Sequence, residues 1–98
     1  MRVYISGPMS GYPNMNIPAF NRAAKRLRKK GYEVVSPPEI APYQEGWEWY
    51  DYMKVDIKEL MDCDVLAFLK NAHESKGARM EISLAKRLKI EVLDIRDL

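Results

Sequence analysis

The apolar positions of this chain switch between two periods. Val3 to Ser6 is a short apolar, β-branched run stopped by Gly7-Pro8, the pattern of a buried strand. Ile17, Phe20, Ala23, Ala24 and Leu27 then recur at helical spacing, with Arg22, Lys25, Arg26, Arg28, Lys29 and Lys30 on the remaining faces. Asn16 reads as the N-cap of this helix, Pro18 as a first-turn residue, and Gly31 as its left-handed C′ stop. Tyr32 to Ser36 predicts a second strand closed by Pro37-Pro38, and Glu39 to Trp49 a polar and aromatic loop. A helix is predicted from about Glu48 to Met61, with Tyr52, Val55, Ile57, Leu60 and Met61 facing inward. Asp64 to Leu69 predicts a third strand, and residues 70–77 a loop. Ala78 to Leu88 predicts a helix with Met80, Ile82, Leu84, Ala85 and Leu88 inward, and Ile90 to Ile95 a last strand.

Short apolar strands separated by helices of this length must pair in parallel through right-handed crossovers. The expected fold is therefore α/β, an open and mainly parallel sheet of four to five strands with helices on both faces, flavodoxin- or Rossmann-like. Such sheets bind ligands outside the carboxyl ends of their strands, where the strand order reverses. That singles out the loops after Ser6, Ser36 and Leu69.

Composition narrows the class. At 98 residues the chain is expected to form one domain, without internal repeats, and 47% apolar with 31% charged residues describes a globular protein. No apolar run approaches a membrane span, and the strand pattern beginning at Arg2-Val3 leaves no signal peptide, so a cytoplasmic protein is expected. One cysteine, Cys63, and one histidine, His73, build neither a disulfide nor a zinc site; no metal and no cofactor is expected. The net charge of +2 conceals blocks: residues 1–38 carry seven basic and one acidic side chain, residues 39–64 two and eight, residues 65–98 seven and five. The balance argues against a dedicated nucleic-acid binder, and the basic helix 22–30 reads as a solvated face.

Candidate chemistry gathers at the ligand edge. Ser6-Gly7-Pro8-Met9-Ser10-Gly11 is either a structural turn or an anion cradle, but neither a phosphate-binding Walker loop nor a dinucleotide fingerprint. Ser75-Lys76-Gly77 precedes a helix, so Ser75 serves as a cap, a phosphate ligand or both. Glu81, one turn into that helix and flanked by Met80 and Ile82, is a candidate nucleophile or base. Asp56 is a second carboxylate, read alone as surface, and Tyr4 is read alone as core. Trp47, Trp49, Tyr50 and Tyr52 form either a satellite apolar cluster or an aromatic wall for a flat base.

Three pieces of the chain carry a resemblance: Tyr4-Ile5-Ser6-Gly7-Pro8, then Asp56-Ile57-x-x-Leu60-x-x-Cys63-Asp64, then Ser75-x-Gly77-x-x-x-Glu81-Ile82-x-x-Ala85. Their order, and the 25-residue interval from Asp56 to Glu81, resemble the nucleoside 2-deoxyribosyltransferase-like superfamily over nearly the whole chain. Within it, the chain is also similar to 2′-deoxynucleoside 5′-phosphate N-hydrolases and to small phage and bacterial relatives. The resemblance implies that Glu81 is the nucleophile at C1′ of the deoxyribose. Asp56 is then the acid that assists the leaving base, and Tyr4 orients the catalytic carboxylate. Ser6 and Gly7 approach the sugar or phosphate, and Ser75 and Gly77 contact a 5′-phosphate. It implies a small-molecule nucleoside or nucleotide as partner and a homodimer or higher homo-oligomer; composition separately argues for no membrane and against a nucleic-acid partner. Family sites are completed by a polar residue of a neighbouring subunit, carried on a longer C-terminal segment; here 17 residues follow Glu81, so an open or differently completed site is expected. The first loop lacks the arginine of the phosphate-specific hydrolases, leaving Lys76 or Arg79 to supply charge. The expected activity is cleavage or transfer of the N-glycosidic bond of 2′-deoxynucleosides or their 5′-monophosphates. The alternative is a non-catalytic nucleotide-binding module on the same fold.

Overall fold

The structure is a computed structural model describing residues 1–98. Four strands, β1 (Arg2–Ser6), β2 (Glu33–Val35), β3 (Val65–Phe68) and β4 (Glu91–Asp94), form one sheet in the order β2-β1-β3-β4, every pair parallel. The helices are α1 (Ile17–Lys29), α2 (Pro37–Ile40), α3 (Trp49–Leu60) and α4 (Lys76–Arg87). The sheet is thus the parallel α/β sheet that the alternation of strand and helix patterns predicts. The chain leaves β1 toward one edge and β3 toward the other, so the order reverses between those two central strands. Ligands are expected at the carboxyl ends of strands flanking such a reversal.

Strand alternation divides the core in two. Val3, Ile5 and Val65 turn to the α1 face, where they meet Phe20, Ala24 and Leu27. Tyr4, Val35 and Leu66 turn to the other face, against Leu60 and Ala85 of α3 and α4. Alanine at 23, 24 and 85 lets the helix backbones approach the sheet closely. Gly31 (φ +96) ends α1 as the sequence predicts: its N–H donates to Arg28 O at 3.0 Å and the Tyr32 N–H to Leu27 O at 3.2 Å, closing a Schellman turn.

Several local expectations are corrected. Asn16 does not cap α1; it is left-handed (φ 60) and its amide donates to Pro8 O at 2.8 Å, clipping the first loop. Ile17 is exposed because it sits at the first helical position, outside the core. Pro37-Pro38 opens the one-turn helix α2, since a proline ring presets the φ of a first turn. On α3 the inward residues are Met53, Asp56 and Leu60, with Met61 exposed; on α4 they are Ala78, Glu81 and Ala85, with Met80 and Leu88 exposed. The reason is shared. Each true inward stripe contains a carboxylate, which a hydrophobic pattern passes over. Half of the basic block on α1 is committed internally: Arg26 donates to Ile95 O, Lys30 to Leu98 O, and Arg28 to Glu39 and Val34 O. No helix is long and apolar enough to cross a membrane.

Candidate functional site

Tyr4 and Ser6 are two residues apart on β1, so their side chains leave the same face of the sheet. Both hydroxyls converge on one carboxylate of α4. Tyr4 Oη donates to Glu81 Oε2 at 2.6 Å, and Ser6 Oγ donates to Glu81 Oε1 at 2.7 Å. All three side chains are buried, Glu81 to 4% exposure. The carboxylate is therefore fixed in position and orientation by a rigid central strand. Gly7 follows at the strand end, where a Cβ would stand 2.8 Å from Leu69 Cδ1 and 2.9 Å from its Cβ; only glycine lets the first loop cross the end of β3 so closely.

Asp56 projects from α3 into the same cleft and is 8% exposed, with Oδ1 bonded to nothing. Burial raises its pKa to about 7. Glu81 is raised to about 7 as well: desolvation is the main cause, the Tyr4 and Ser6 hydrogen bonds oppose it, and the Asp56 charge adds to it. Burial, with the negative charges of Glu81 and Asp56, pushes the Tyr4 phenol well above its ordinary value, so Tyr4 remains a donor. The two carboxylates differ in one respect. Hydrogen bonds to the ionised form favour ionisation, and only Glu81 receives them from side chains. The ionised form of Glu81 thus has two side-chain donors while Asp56 Oδ1 has none, and the two carboxylates titrate as a coupled pair.

The cleft measures about 520 Å³ and opens at the carboxyl edge of the sheet. Ser75 and Gly77 line it at the start of α4, where Ser75 Oγ accepts from the Ala78 N–H at 3.1 Å and so caps the helix. Gly77 keeps the first turn of α4 against α3; a Cβ there would lie 3.1 Å from Met53 Sδ. Trp47, Trp49 and Tyr52 supply aromatic lining, with Trp47 edge-on to Tyr52 at 5.1 Å between ring centroids. Tyr50 does not line the cleft and is exposed. The only charged side chains lining the cleft are Asp56 and Glu81. Lys76 stacks its ammonium 4.1 Å from the Trp49 ring at the rim, and Arg79 donates to His73 O at 2.9 Å, away from the cleft lining.

Of the residues singled out in the sequence, Gly7, Asp56, Ser75, Gly77 and Glu81 border the cleft directly. Tyr4 and Ser6 do not; they lie beneath it and reach it through Glu81. Sequence reasoning missed Phe20, Met53, Pro37 and Tyr43, which supply much of the apolar lining. Pro37 lay at a ligand-edge loop, which was the available signal for it. Phe20 carried only the signal of a core residue, and Met53 fell outside the inward stripe expected for its helix.

The fold is similar to that of a 2-deoxyribosyltransferase from the psychrotolerant bacterium Bacillus psychrosaccharolyticus, with a TM-score of 0.75. Sequence identity to that chain is 21%, and the match covers 95% of this chain and 71% of the other. No curated protein matches the sequence. A family model described as a domain of unknown function, DUF4406, spans residues 1–94, from the strand that carries Tyr4 and Ser6 through both carboxylates, and the chain belongs to that family.

Proposed function

We propose that this protein cleaves or transfers the N-glycosidic bond of 2′-deoxynucleosides or their 5′-monophosphates, with Glu81 as nucleophile. The observation that carries the reading is Glu81 held by two strand hydroxyls beside a second buried carboxylate in one cleft. An N-glycosidic bond breaks through an oxocarbenium-like state at C1′, which a carboxylate on one sugar face stabilises or captures. A Glu81 oxygen bonds to C1′ while the C1′–N bond breaks, and the Asp56 proton passes to the departing base nitrogen. Water or a second base then attacks C1′, releases Glu81 and returns a proton to Asp56. Water as acceptor makes the protein a hydrolase, and a second base makes it a transferase. Trp47, Trp49 and Tyr52 offer flat apolar faces to the base.

The lining favours the unphosphorylated nucleoside of the two substrate forms. A 5′-phosphate placed in the cleft would face two carboxylates, with the free N–H groups at the start of α4 and the rim Lys76 as its available donors. The test is incubation with each deoxynucleoside and deoxynucleotide, alone and with a second base, followed by chromatography of free base and product. Release that depends on Glu81 is the expected result. No release from any substrate, or equal release by Glu81→Ala, overturns the reading.

The proposal extends to a homo-oligomer. Tyr50 and Met61 of the α3 segment and Met80 and Leu88 of the α4 segment are each between 38% and 56% exposed. An open sheet edge and exposed apolar helix residues are features that assembly of copies covers. Light scattering is expected to give a mass of two or more chains; a monomer at micromolar concentration would remove this extension.

A further inference from the structure

A second concavity lies at the same sheet edge and shares no lining residue with the first. It measures about 370 Å³ and sits between the start of α1, the turn after β3 and the turn after β4. Leu69 and Ile95, both nearly buried, form its apolar floor. Its polar lining is Tyr12, Asn16, Arg22, Lys70, Asn71 and Arg96. The charged side chains are thus three cations, whereas those of the first cleft are two carboxylates.

The state of these cations matters more than their number. Arg22 and Lys70 make no ion pair and no side-chain hydrogen bond, unlike Arg26, Arg28 and Lys30 further along the chain. Arg96 is bonded to Asp94 at 2.7 Å, so the cleft has one compensated and two uncompensated positive charges. Asp97 also lends its charge to Arg96, and the Glu74 carboxylate accepts from Tyr12 Oη at 3.2 Å. The same Tyr12 oxygen accepts from Asn71 Nδ2 at 3.2 Å, which ties the first loop to the turn after β3 across the cleft. The amides of Asn16 and Asn71 are held by Pro8 O and Tyr12, so the walls are braced before any ligand arrives.

We propose that this cleft is a binding site for a small phosphate-bearing anion, separate from the carboxylate site. An arginine and a lysine without carboxylate partners, lining one concave surface, match a group carrying two or more negative charges on clustered oxygens. Lys25 and Lys29 continue from Arg22 along one face of α1 and are also unpaired, but they lie outside the concavity. A small ligand uses the cleft and leaves them untouched; a polyanion would engage the whole stripe.

The test is an NMR titration of the full chain with inorganic pyrophosphate at constant ionic strength, repeated with sodium chloride and with a single-stranded oligonucleotide. Saturable shifts are expected at Asn16, Arg22, Lys70, Asn71 and Arg96, with affinity lowered about tenfold or more in the Arg22→Ala/Lys70→Ala double variant. Both side chains are exposed, so the variant is expected to keep the parent's melting temperature. Glu81→Gln is expected to bind pyrophosphate as the parent does, which makes this site testable apart from the proposed glycosidic chemistry. Four results overturn it: shifts centred on Lys76 to Ala78, an equal response to chloride, unchanged affinity in the double variant, or tighter oligonucleotide binding with shifts spreading to Lys25 and Lys29.

Discussion

Glu81→Gln is expected to abolish release of free base, lowering turnover by about a thousandfold or more, while the protein keeps its fold. The substitution keeps shape and volume and removes only the ability to carry negative charge. The amide oxygen accepts from one of the two hydroxyls, and the amide nitrogen donates to the oxygen of the other, so Tyr4 and Ser6 are not left unpaired. A loss of activity without loss of melting temperature therefore assigns the effect to the charge at C1′. Wild-type release by this variant would overturn Glu81 as nucleophile. Tyr4→Phe supplies the companion measurement. It removes one of two donors that favour the ionised carboxylate, so the Glu81 pKa rises further and the acidic limb of the pH–rate profile moves to higher pH. A tyrosine that merely filled space would lower the rate without moving that limb.

The fold was legible because its strands and helices obey simple periods, and the ligand edge followed from the strand order alone. The site was legible in pieces. Glu81 stood out because apolar neighbours surround it, but Asp56 sits among eight acids in the middle block, and nothing local distinguishes it from Glu59 or Asp62. What distinguishes Asp56 is its place on the inward stripe of α3 with Met53 and Leu60, and the hydrophobic pattern alone put Tyr52, Val55 and Ile57 there instead. Ser6 shows the complementary limit. Its position at a strand end suggested contact with the ligand, whereas the pleat turns it under the cleft and onto Glu81. Pairings of this kind join residues 75 or more positions apart, and no local pattern encodes them. The cationic cleft was hidden for the same reason: Arg22, Lys70 and Arg96 belong to three separate segments that only the sheet brings together.

Asp56→Asn is expected to produce an inactive protein that is more stable than its parent at pH 8, by about 2–4 kcal/mol. Asp56 is raised from 3.8 to about 7 by burial, and its Oδ1 has no donor to offset that burial. In the unfolded chain the carboxyl ionises near its ordinary value. In the folded chain it holds its proton until about pH 7. A group raised in this way contributes most to stability below the unfolded value, and that contribution is lost as pH rises through the folded value. Stability of the parent is therefore expected to fall between about pH 4 and pH 7, with Glu81, raised from 4.5 to about 7, adding to the fall. Asparagine has the same shape and no charge to desolvate, and it also relieves Glu81 of a like-charged neighbour. Urea midpoints at pH 4, 6 and 8 check this: the two proteins are expected to converge at pH 4 and diverge as pH rises. Parallel profiles would mean that Asp56 ionises freely in the native state and is no proton donor. Activity is expected to show the counterpart, a bell whose two limbs belong to the coupled pair rather than to either residue. Its maximum lies where the pair holds one proton, and the productive form is the one with that proton on Asp56. The same unpaired burial that costs the native state stability keeps a carboxylic acid protonated near neutral pH, and in the proposed reaction the departing base nitrogen requires that acid.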